Sequence, residues 1–438
     1  MEEKIPASNA SVILPTFNRA RYIRAAIASI LGQSCRAREI IVVDDGSTDG
    51  TADVCVEFAR QVRYVRQPEN RGKTAAINRG LALASADYIW IMDDDDIAPS
   101  DALERLLRPL NANPNLGFSY GPLQKFTEDE KGRRKFDQPQ IFPADTERPF
   151  FARLMEDCFI TGQPCVLVRR SCFEAITPLS ENVLVSVDYN ILLQLARRYD
   201  AECVDQVVLW QRQHSGMRGP HANSYAENER VQRWMQSDAH LLRQLLLDLR
   251  LPEYLGLRDP SARLTPPQRR QALFQKATVA ARKNLWDIAF AALADALVAD
   301  AKSPLTPPDV AALRNMLGCR YGIDEMIFDP AKQAALVKAA GRGALARQIR
   351  RAVGSRLTYW MGHAFRQGDL RRFSATCRTL GRISGVGALR VVLAPMEKRM
   401  AQLFRATEAD GRRGRLQAED SVYAHQEGEA LRMALPPR

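Results

Sequence analysis

The chain has 438 residues, 46% of them apolar and 26% charged, an ordinary globular composition with enough length for two or three domains. No uninterrupted apolar run approaches the ~20 residues needed to span a bilayer. The start, MEEKIPASNA, lacks the apolar region of a secretory leader, and the eight cysteines are scattered without a CxxC pair, so the expectation is a cytoplasmic chain with reduced thiols.

In chain order, residues 10–14 (ASVIL) read as a buried strand that ends in Pro15-Thr16-Phe17-Asn18-Arg19. Tyr22, Ala25, Ala26, Ser29 and Ile30 then recur at helical spacing up to Gly32. Residues 39–43 (EIIVV) are a second strand, ending in Asp44-Asp45-Gly46-Ser47-Thr48-Asp49-Gly50. A helix over 51–60, a short strand over 62–66 and a helix over 74–84 follow the same alternation. Strands alternating with helices predict a doubly wound, mostly parallel α/β sheet, whose polar strand ends line one edge.

Residues 88–92 (YIWIM) form the next buried strand, and Asp93, Asp94, Asp95 and Asp96 follow with no cation beside them in sequence. Adjacent carboxylates repel, and an unpaired buried carboxylate is costly. Hard oxygen ligands suit Mg²⁺ or Mn²⁺; a solvated acidic loop is the alternative. After Pro99, helical spacing resumes over 101–110.

Residues 117–121 are expected to be an edge strand, and 127–140 (TEDEKGRRKFDQPQ) an exposed loop. A short helix over 150–157, a strand over 165–169 and a helix from Ser171 come next. Ser186-Val187-Asp188-Tyr189-Asn190 opens a helix over 191–199, and Trp210 to Gly216 reads as a loop. From Tyr225 onward the pattern is helical, with breaks at Thr265-Pro266-Pro267 and around Pro304. Residues 277–299 resemble a helical hairpin that 359–380 weakly echo.

The net charge of +11 is concentrated late in the chain. From Lys332 to Arg405 there are sixteen Lys or Arg against two acids, a local +14 that leaves −3 elsewhere. Ile349, Val353, Leu357, Trp360, Phe365, Leu389, Val391 and Val392 lie between the arginines. A basic amphipathic stretch of this kind suggests contact with an anionic membrane surface through residues 332–405. A solvated helical face is the other reading. No basic-aromatic reading motif appears, so no nucleic acid is expected.

Three blocks, SVILPTFNRARYIRAAIASILGQS, EIIVVDDGSTDGT and NRGKTAAINRGLALASADYIWIMDDDDIAP, in this order and spacing, resemble glycosyltransferase family 2 with the GT-A fold. The likeness covers about the first half of the chain. It implies an inverting transfer from a nucleoside-diphosphate sugar, UDP-linked by preference, assisted by Mg²⁺ or Mn²⁺. The acceptor would be a hydroxyl of a glycan or lipid-linked molecule in envelope or exopolysaccharide synthesis. The implied architecture is a GT-A domain over 1–220, a partly basic all-α domain over 221–405 and a flexible tail over 406–438. The protein would be cytoplasmic or peripheral on the inner membrane face.

Carried onto this chain, the resemblance gives Pro15, Thr16 and Asn18 to the nucleoside. Asp45, with Asp44 beside it, would face the base; an Asx-rich turn is the alternative for both. Arg71 would approach the base or diphosphate. Asp93 or Asp94 would take the ribose. Asp95, with Asp93 and His214, would hold the metal, although four consecutive aspartates leave the register open by one residue. Asp188 would be the general base; capping the following helix is its alternative. The family's acidic pair is incomplete, because Val187 stands beside Asp188 where an acid is usual. A nucleotide-sugar-binding scaffold without catalysis is therefore the competing reading.

Overall fold

The computed structural model describes residues 8–142, 148–214, 229–319 and 322–385. These divide into two compact units, one drawn from Met1–Ala144 and Cys158–Asp238, the other from Asp145–Asp157 and Ala239–Arg438.

The first unit is built on a seven-stranded sheet. Strands β1 (Ala10–Thr16), β2 (Glu39–Asp44), β3 (Arg63–Arg66) and β4 (Tyr88–Ile91) are mutually parallel, in the order β3-β2-β1-β4. Their continuous apolar runs fit a sheet covered on both faces: Val12, Ile13, Leu14, Ile41, Val42, Val43, Ile89, Trp90 and Ile91 are fully buried. Helices α1 (Ala20–Leu31), α2 (Thr51–Val56) and α3 (Lys73–Leu83) make the crossovers, and α4 (Ala102–Ala112) follows β4. Packing of α3 on β1 is close: a Cβ at Gly80 would meet Ile13 Cγ2 at 2.3 Å.

The buried face of α1 is Ile23, Ala26, Ile27 and Ile30, about one residue round from the face expected around Tyr22 and Ala25. Tyr22 is thereby freed for the site described below.

Beyond α4 the sheet changes character. β5 (Leu116–Tyr120) is not an edge strand, as its position in the chain suggested. β8 (Val166–Arg169) pairs with it antiparallel on one side and β9 (Asp200–Cys203) parallel on the other, and all five of its residues are buried. β8 also runs antiparallel to β4 and so closes the mixed half of the sheet. The charged stretch expected as a loop is instead a hairpin of β6 (Leu123–Glu128) and β7 (Arg134–Phe136), turned at Gly132 with φ +75°. β10 (Leu209–Arg212) joins β6 in parallel to complete a three-stranded sheet, so Trp210 and Arg212 lie on a strand rather than in a loop. Cross-strand contacts such as Phe126 with Phe136 and Phe136 with Trp210 hold it together, with ring centroids 5.6 and 5.4 Å apart.

α5 (Phe150–Glu156) counts with the second unit; α6 (Arg170–Glu174) and α7 (Val187–Ala196) with the first. α8 (Arg230–Asp248) contains the division between the units, after Asp238.

The second unit continues with α9 (Pro266–Arg282), α10 (Trp286–Ala299), α11 (Pro307–Asn315), α12 (Asp324–Ile327), α13 (Pro330–Ala339), α14 (Gly343–Ser355), α15 (Leu357–Arg366) and α16 (Leu370–Ser384). The prolines expected as breaks start helices: Thr265 and Thr306 close capping boxes ahead of Pro266 and Pro307. α9 packs on α10, and α15 on α16, as two helical hairpins.

The apolar residues of the basic strip have an internal use. Ile349, Val353, Leu357 and Trp360 are buried in this unit, so amphipathicity here reflects core packing. Leu389, Val391, Val392 and the stretch 406–438 lie outside the described residues. Among those described, no helix is long and apolar enough to cross a membrane. The cysteines are free thiols, most of them buried.

Candidate active site

Parallel strands ending together bring their polar tips to one edge of the sheet. At the tip of β1, Asn18 adopts φ +53°, which a short amide side chain tolerates. Its Oδ1 accepts from the Thr48 backbone N–H at 2.8 Å, and its own N–H donates to Ser47 Oγ at 2.9 Å. Arg19 N–H donates to Thr51 Oγ1 at 3.0 Å. The β1–α1 turn is thus tied to the β2–α2 turn. Pro15 is buried in β1 opposite Val43, and Thr16 is buried at its end opposite Asp44.

Asp44 and Asp45 are both engaged inside the protein. Asp44 accepts from Ser47 N–H at 2.7 Å and from the Tyr64 hydroxyl, an Asx-type turn in which a tyrosine takes the other oxygen. Asp45 Oδ1 accepts from Gln67 Nε2 at 2.7 Å and Arg71 N–H at 2.9 Å, and its Oδ2 from Gly72 N–H at 2.7 Å. Burial pushes the Asp45 carboxyl up, against these bonds. A carboxylate has about four acceptor sites, so Asp45 braces the turn before α3 and keeps one free on Oδ2. The close approach of that turn forbids a side chain at position 46, where a Cβ would meet the Glu69 carbonyl carbon at 2.8 Å. The Arg71 guanidinium pairs with Glu181 at 2.8 Å, on the half-exposed rim.

The acid run follows β4 and alternates: Asp94 and Asp96 are buried, Asp93 and Asp95 half-buried. It has cations beside it that the sequence did not disclose. Lys73, at the first turn of α3, pairs with Asp93. Arg19 lies 3.5 Å from Asp94 and 3.7 Å from Asp95. His214 Nε2 is 3.0 Å from Asp95 Oδ2, with its ring stacked on Tyr22. Arg212 donates its backbone N–H to Asp96 at 2.8 Å and its Nε to the Asp95 carbonyl at 2.9 Å. It pairs with Glu128 and is sandwiched between Tyr22 and Phe126.

The four carboxyls are therefore unlike. Burial and then the Asp95 charge push Asp94 up to about 7, with Arg19 pulling the other way. Asp96 is driven well above the usual carboxylate range, by burial first and then by Asp95 and Asp93. For Asp95, burial is outweighed by the His214 bond and by Arg19, which hold it below that range. Asp95 thus faces His214, whereas Asp96 turns inward to the Arg212 backbone N–H.

Asp188 lies in the first turn of α7, which opens earlier than expected, and its Oδ1 accepts from Tyr189 N–H at 2.9 Å. Burial raises it, Lys73 opposes that, and Asp93 and Asp238 add to it. Lys73 in turn is held protonated, against burial, by Asp93, Asp188 and Asp95 together. Lys73 is thus in contact with Asp93 and feels the charges of Asp188 and Asp95 from further off.

The structure thus gathers Asp93, Asp94, Asp95, Asp188 and His214, with Thr16 at the side. Asn18, Asp44, Asp45 and Arg71 form the adjoining brace. Lys73, Arg19, Tyr22 and Arg212 were not singled out from sequence. The position of Lys73 directly after the Gly72 turn and that of Arg212 two residues before His214 were the available signals.

Among the described residues, no group of three or more His, Cys, Asp or Glu converges as a ready metal cage. Asp95 and His214 nevertheless face each other as an oxygen and a nitrogen donor. A site with one or two protein ligands completed by phosphate oxygens and water is the usual arrangement for Mg²⁺. The donor set fits a divalent ion held jointly with a diphosphate.

Residues 11–177 match the model for "Glycosyl transferase family 2", so the chain contains a family 2 glycosyltransferase domain, with a GT-A-like sheet followed by a helical region. An uncharacterized glycosyltransferase of Haemophilus influenzae is 30% identical over 187 residues, 42% of this chain and 61% of that protein. A poly-beta-1,6-N-acetyl-D-glucosamine synthase of Staphylococcus epidermidis is 32% identical over 113 residues, 25% of this chain and 27% of that one. The matches thus span less than two thirds of these relatives' own length. Among solved structures, S. aureus TarS 1–349 aligns over 94% of each chain with a TM-score of 0.45 and 14% identity.

Proposed function

We propose that the chain is an inverting glycosyltransferase. It would move a sugar from a nucleoside-diphosphate sugar, UDP-linked by preference, to a hydroxyl of a glycan or lipid-linked acceptor in envelope or exopolysaccharide synthesis. One observation supports this most: Lys73 pairs with Asp93 of the acid run and its charge also acts on Asp188, which brings a donor-binding acid and a proton acceptor under one cation.

In this reading Thr16, Asn18 and Pro15 line the nucleoside, and the free acceptor position on Asp45 meets a base N–H. Asp93 or Asp94 takes the ribose, and Arg71 approaches the base or diphosphate from the rim. Asp95 and His214, with Asp93, would hold Mg²⁺ or Mn²⁺, which would neutralise charge on the departing diphosphate. Asp188 takes the proton of the attacking hydroxyl. Lys73 favours its ionised form, and burial favours proton uptake, so Asp188 is poised between the two. A single displacement with Asp188 on the side opposite the leaving group inverts the anomeric carbon.

The non-catalytic scaffold is the second reading, favoured by the apolar Val187 beside Asp188. Nucleoside-diphosphate release from a panel of nucleotide sugars, wild type against Asp188→Asn, separates the two. Release lost in the variant supports transfer; equal release in both ends the enzyme reading.

With Ile349, Val353, Leu357 and Trp360 committed to packing, the described part of the basic strip offers chiefly charge to an anionic surface, through exposed groups such as Arg347, Arg351, Arg366 and Arg378. Co-sedimentation with phosphatidylglycerol vesicles should drop when these four are changed to Gln, and should fall with salt. Equal pelleting would remove the membrane contact from the proposal.

A further inference from the structure

Val187 leaves the base without the neighbouring acid that the family resemblance implies, yet a second buried carboxylate is present from elsewhere in the chain. Asp238, on α8, is 3% exposed. Ser186, the residue before α7, donates its hydroxyl to Asp238 Oδ1 at 2.8 Å. The neighbouring Ser237 hydroxyl donates to the Val185 carbonyl at 2.8 Å. Two successive residues of α8 therefore grip two successive residues at the entrance to α7.

The entrance needs gripping. Ser186 sits at φ +59°, ψ +35°, the left-handed region, which costs an L-residue about 1 kcal/mol or more. Its carbonyl accepts from Asn190 N–H at 3.0 Å, so it starts the first turn of α7, the turn that carries Asp188. Val187 itself is buried.

We infer that Asp238 supplies the second acid of the catalytic pair and acts as a positioning residue for Asp188, fixing the first turn of α7 through Ser186 and setting a negative charge beside the base. This rests on the reading of Asp188 as the base. The other groups that act on Asp188 are Lys73 from α3, Asp93 from the acid run and the buried thiol of Cys165 ahead of β8. Lys73 alone among these is cationic, so Asp238 works against it: one draws Asp188 toward the ionised form and the other toward the protonated one.

The test compares pH–rate profiles of nucleoside-diphosphate release for wild type, Asp238→Asn, Ser186→Ala and the double variant Val187→Glu/Asp238→Asn. Asn at 238 still accepts the Ser186 bond but carries no charge. The acidic limb should move to lower pH by roughly half a unit or more, and Val187→Glu in that background should move it back. Ser186→Ala keeps the charge and loses the bond, so kcat should fall about tenfold with the limb in place. A limb unmoved by Asp238→Asn overturns the inference. Were the wild type to release nothing from any donor, the proposed function would fail instead. The inference is then read directly, by ¹³C NMR titration of the Asp188 carboxyl with carboxyl-labelled aspartate: a midpoint shifted down in Asp238→Asn supports it, and an unchanged midpoint overturns it.

Discussion

Both units bury charge, and they do so in opposite ways. In the helical unit the Arg270 side chain is fully buried and donates to the carbonyls of Ser303 and Pro304 at 2.7 and 2.8 Å and to Asp309 Oδ2 at 2.8 Å, with Asp300 at 3.3 Å. One guanidinium ties the end of α10 to the start of α11. Glu156 is likewise met by Arg148 and Gln275, both at 2.6 Å. In these networks each charge meets its opposite, although Arg270 Nε and Asp309 Oδ1 are left without a hydrogen bond. In the α/β unit four aspartates crowd one loop and the charge of Asp93 reaches a fifth, Asp188, so that Asp94, Asp96 and Asp188 are driven upward while Asp95 is held down. A structural network sets charge against opposite charge; a site keeps like charges crowded until a ligand arrives. The difference lies in the balance of partners, and burial differs as well: Arg270 and Asp309 are fully buried, whereas Asp93 and Asp95 are half-buried.

The largest effect should come from removing the proton acceptor. Asp188→Asn is expected to lower nucleoside-diphosphate release by roughly a hundred- to ten-thousand-fold while leaving the unfolding midpoint close to wild type. The contrasting change is Arg270→Met. It strands Asp309 in the interior and should cost about 3–5 kcal/mol in urea unfolding, with kcat per folded molecule unchanged. Reversal of the two patterns, a stability loss at 188 or an activity loss at 270, would erase the distinction drawn here. Next in size is Lys73→Gln. Lys73 lowers the proton affinity of Asp188, so its loss should move the acidic limb of the rate profile upward, by about one pH unit. An unmoved limb would mean that the ammonium serves Asp93 alone.

The first four strands and their helices were legible because each is a continuous apolar run ended by a turn, a local signal. The place of β5 was not: nothing in Leu116–Tyr120 records that β8 and β9, drawn from well beyond it, will flank it. The β6–β7 hairpin was hidden by its charges, since an exposed hairpin and an exposed loop share a composition. In the site, the acids announced themselves by type and spacing. Their counter-ions did not, because Arg19, Lys73 and Arg212 reach the loop from three separate segments, and a lone basic residue carries no signature. Asp238 is the extreme case, an unremarkable acid inside an amphipathic helix until Ser186 is found beside it. The basic strip shows the converse limit: its apolar residues were visible, but periodicity alone does not say whether protein or lipid covers them.

The smallest effect concerns stability, and it follows from the pKa of Asp94. In the unfolded chain an aspartate titrates near 3.9; in the folded protein burial and Asp95 raise Asp94 to about 7. Between those two values the folded state binds more protons than the unfolded one, so stability falls as pH rises from about 4 through 7. Above that window the full penalty of ionising Asp94 is present; below about 4 it is gone. Asp94→Asn removes the titration. Its melting temperature should exceed that of wild type at pH 8, and the gap should narrow on acidification and close near pH 4. The contrast with the helical unit is that Asp309 and Glu156 each meet an arginine at hydrogen-bond distance, whereas Asp94 has Arg19 at 3.5 Å. An Asp94→Asn protein less stable than wild type at pH 8 would show that Asp94 is satisfied by Arg19 after all, and that the acid run is only another structural network.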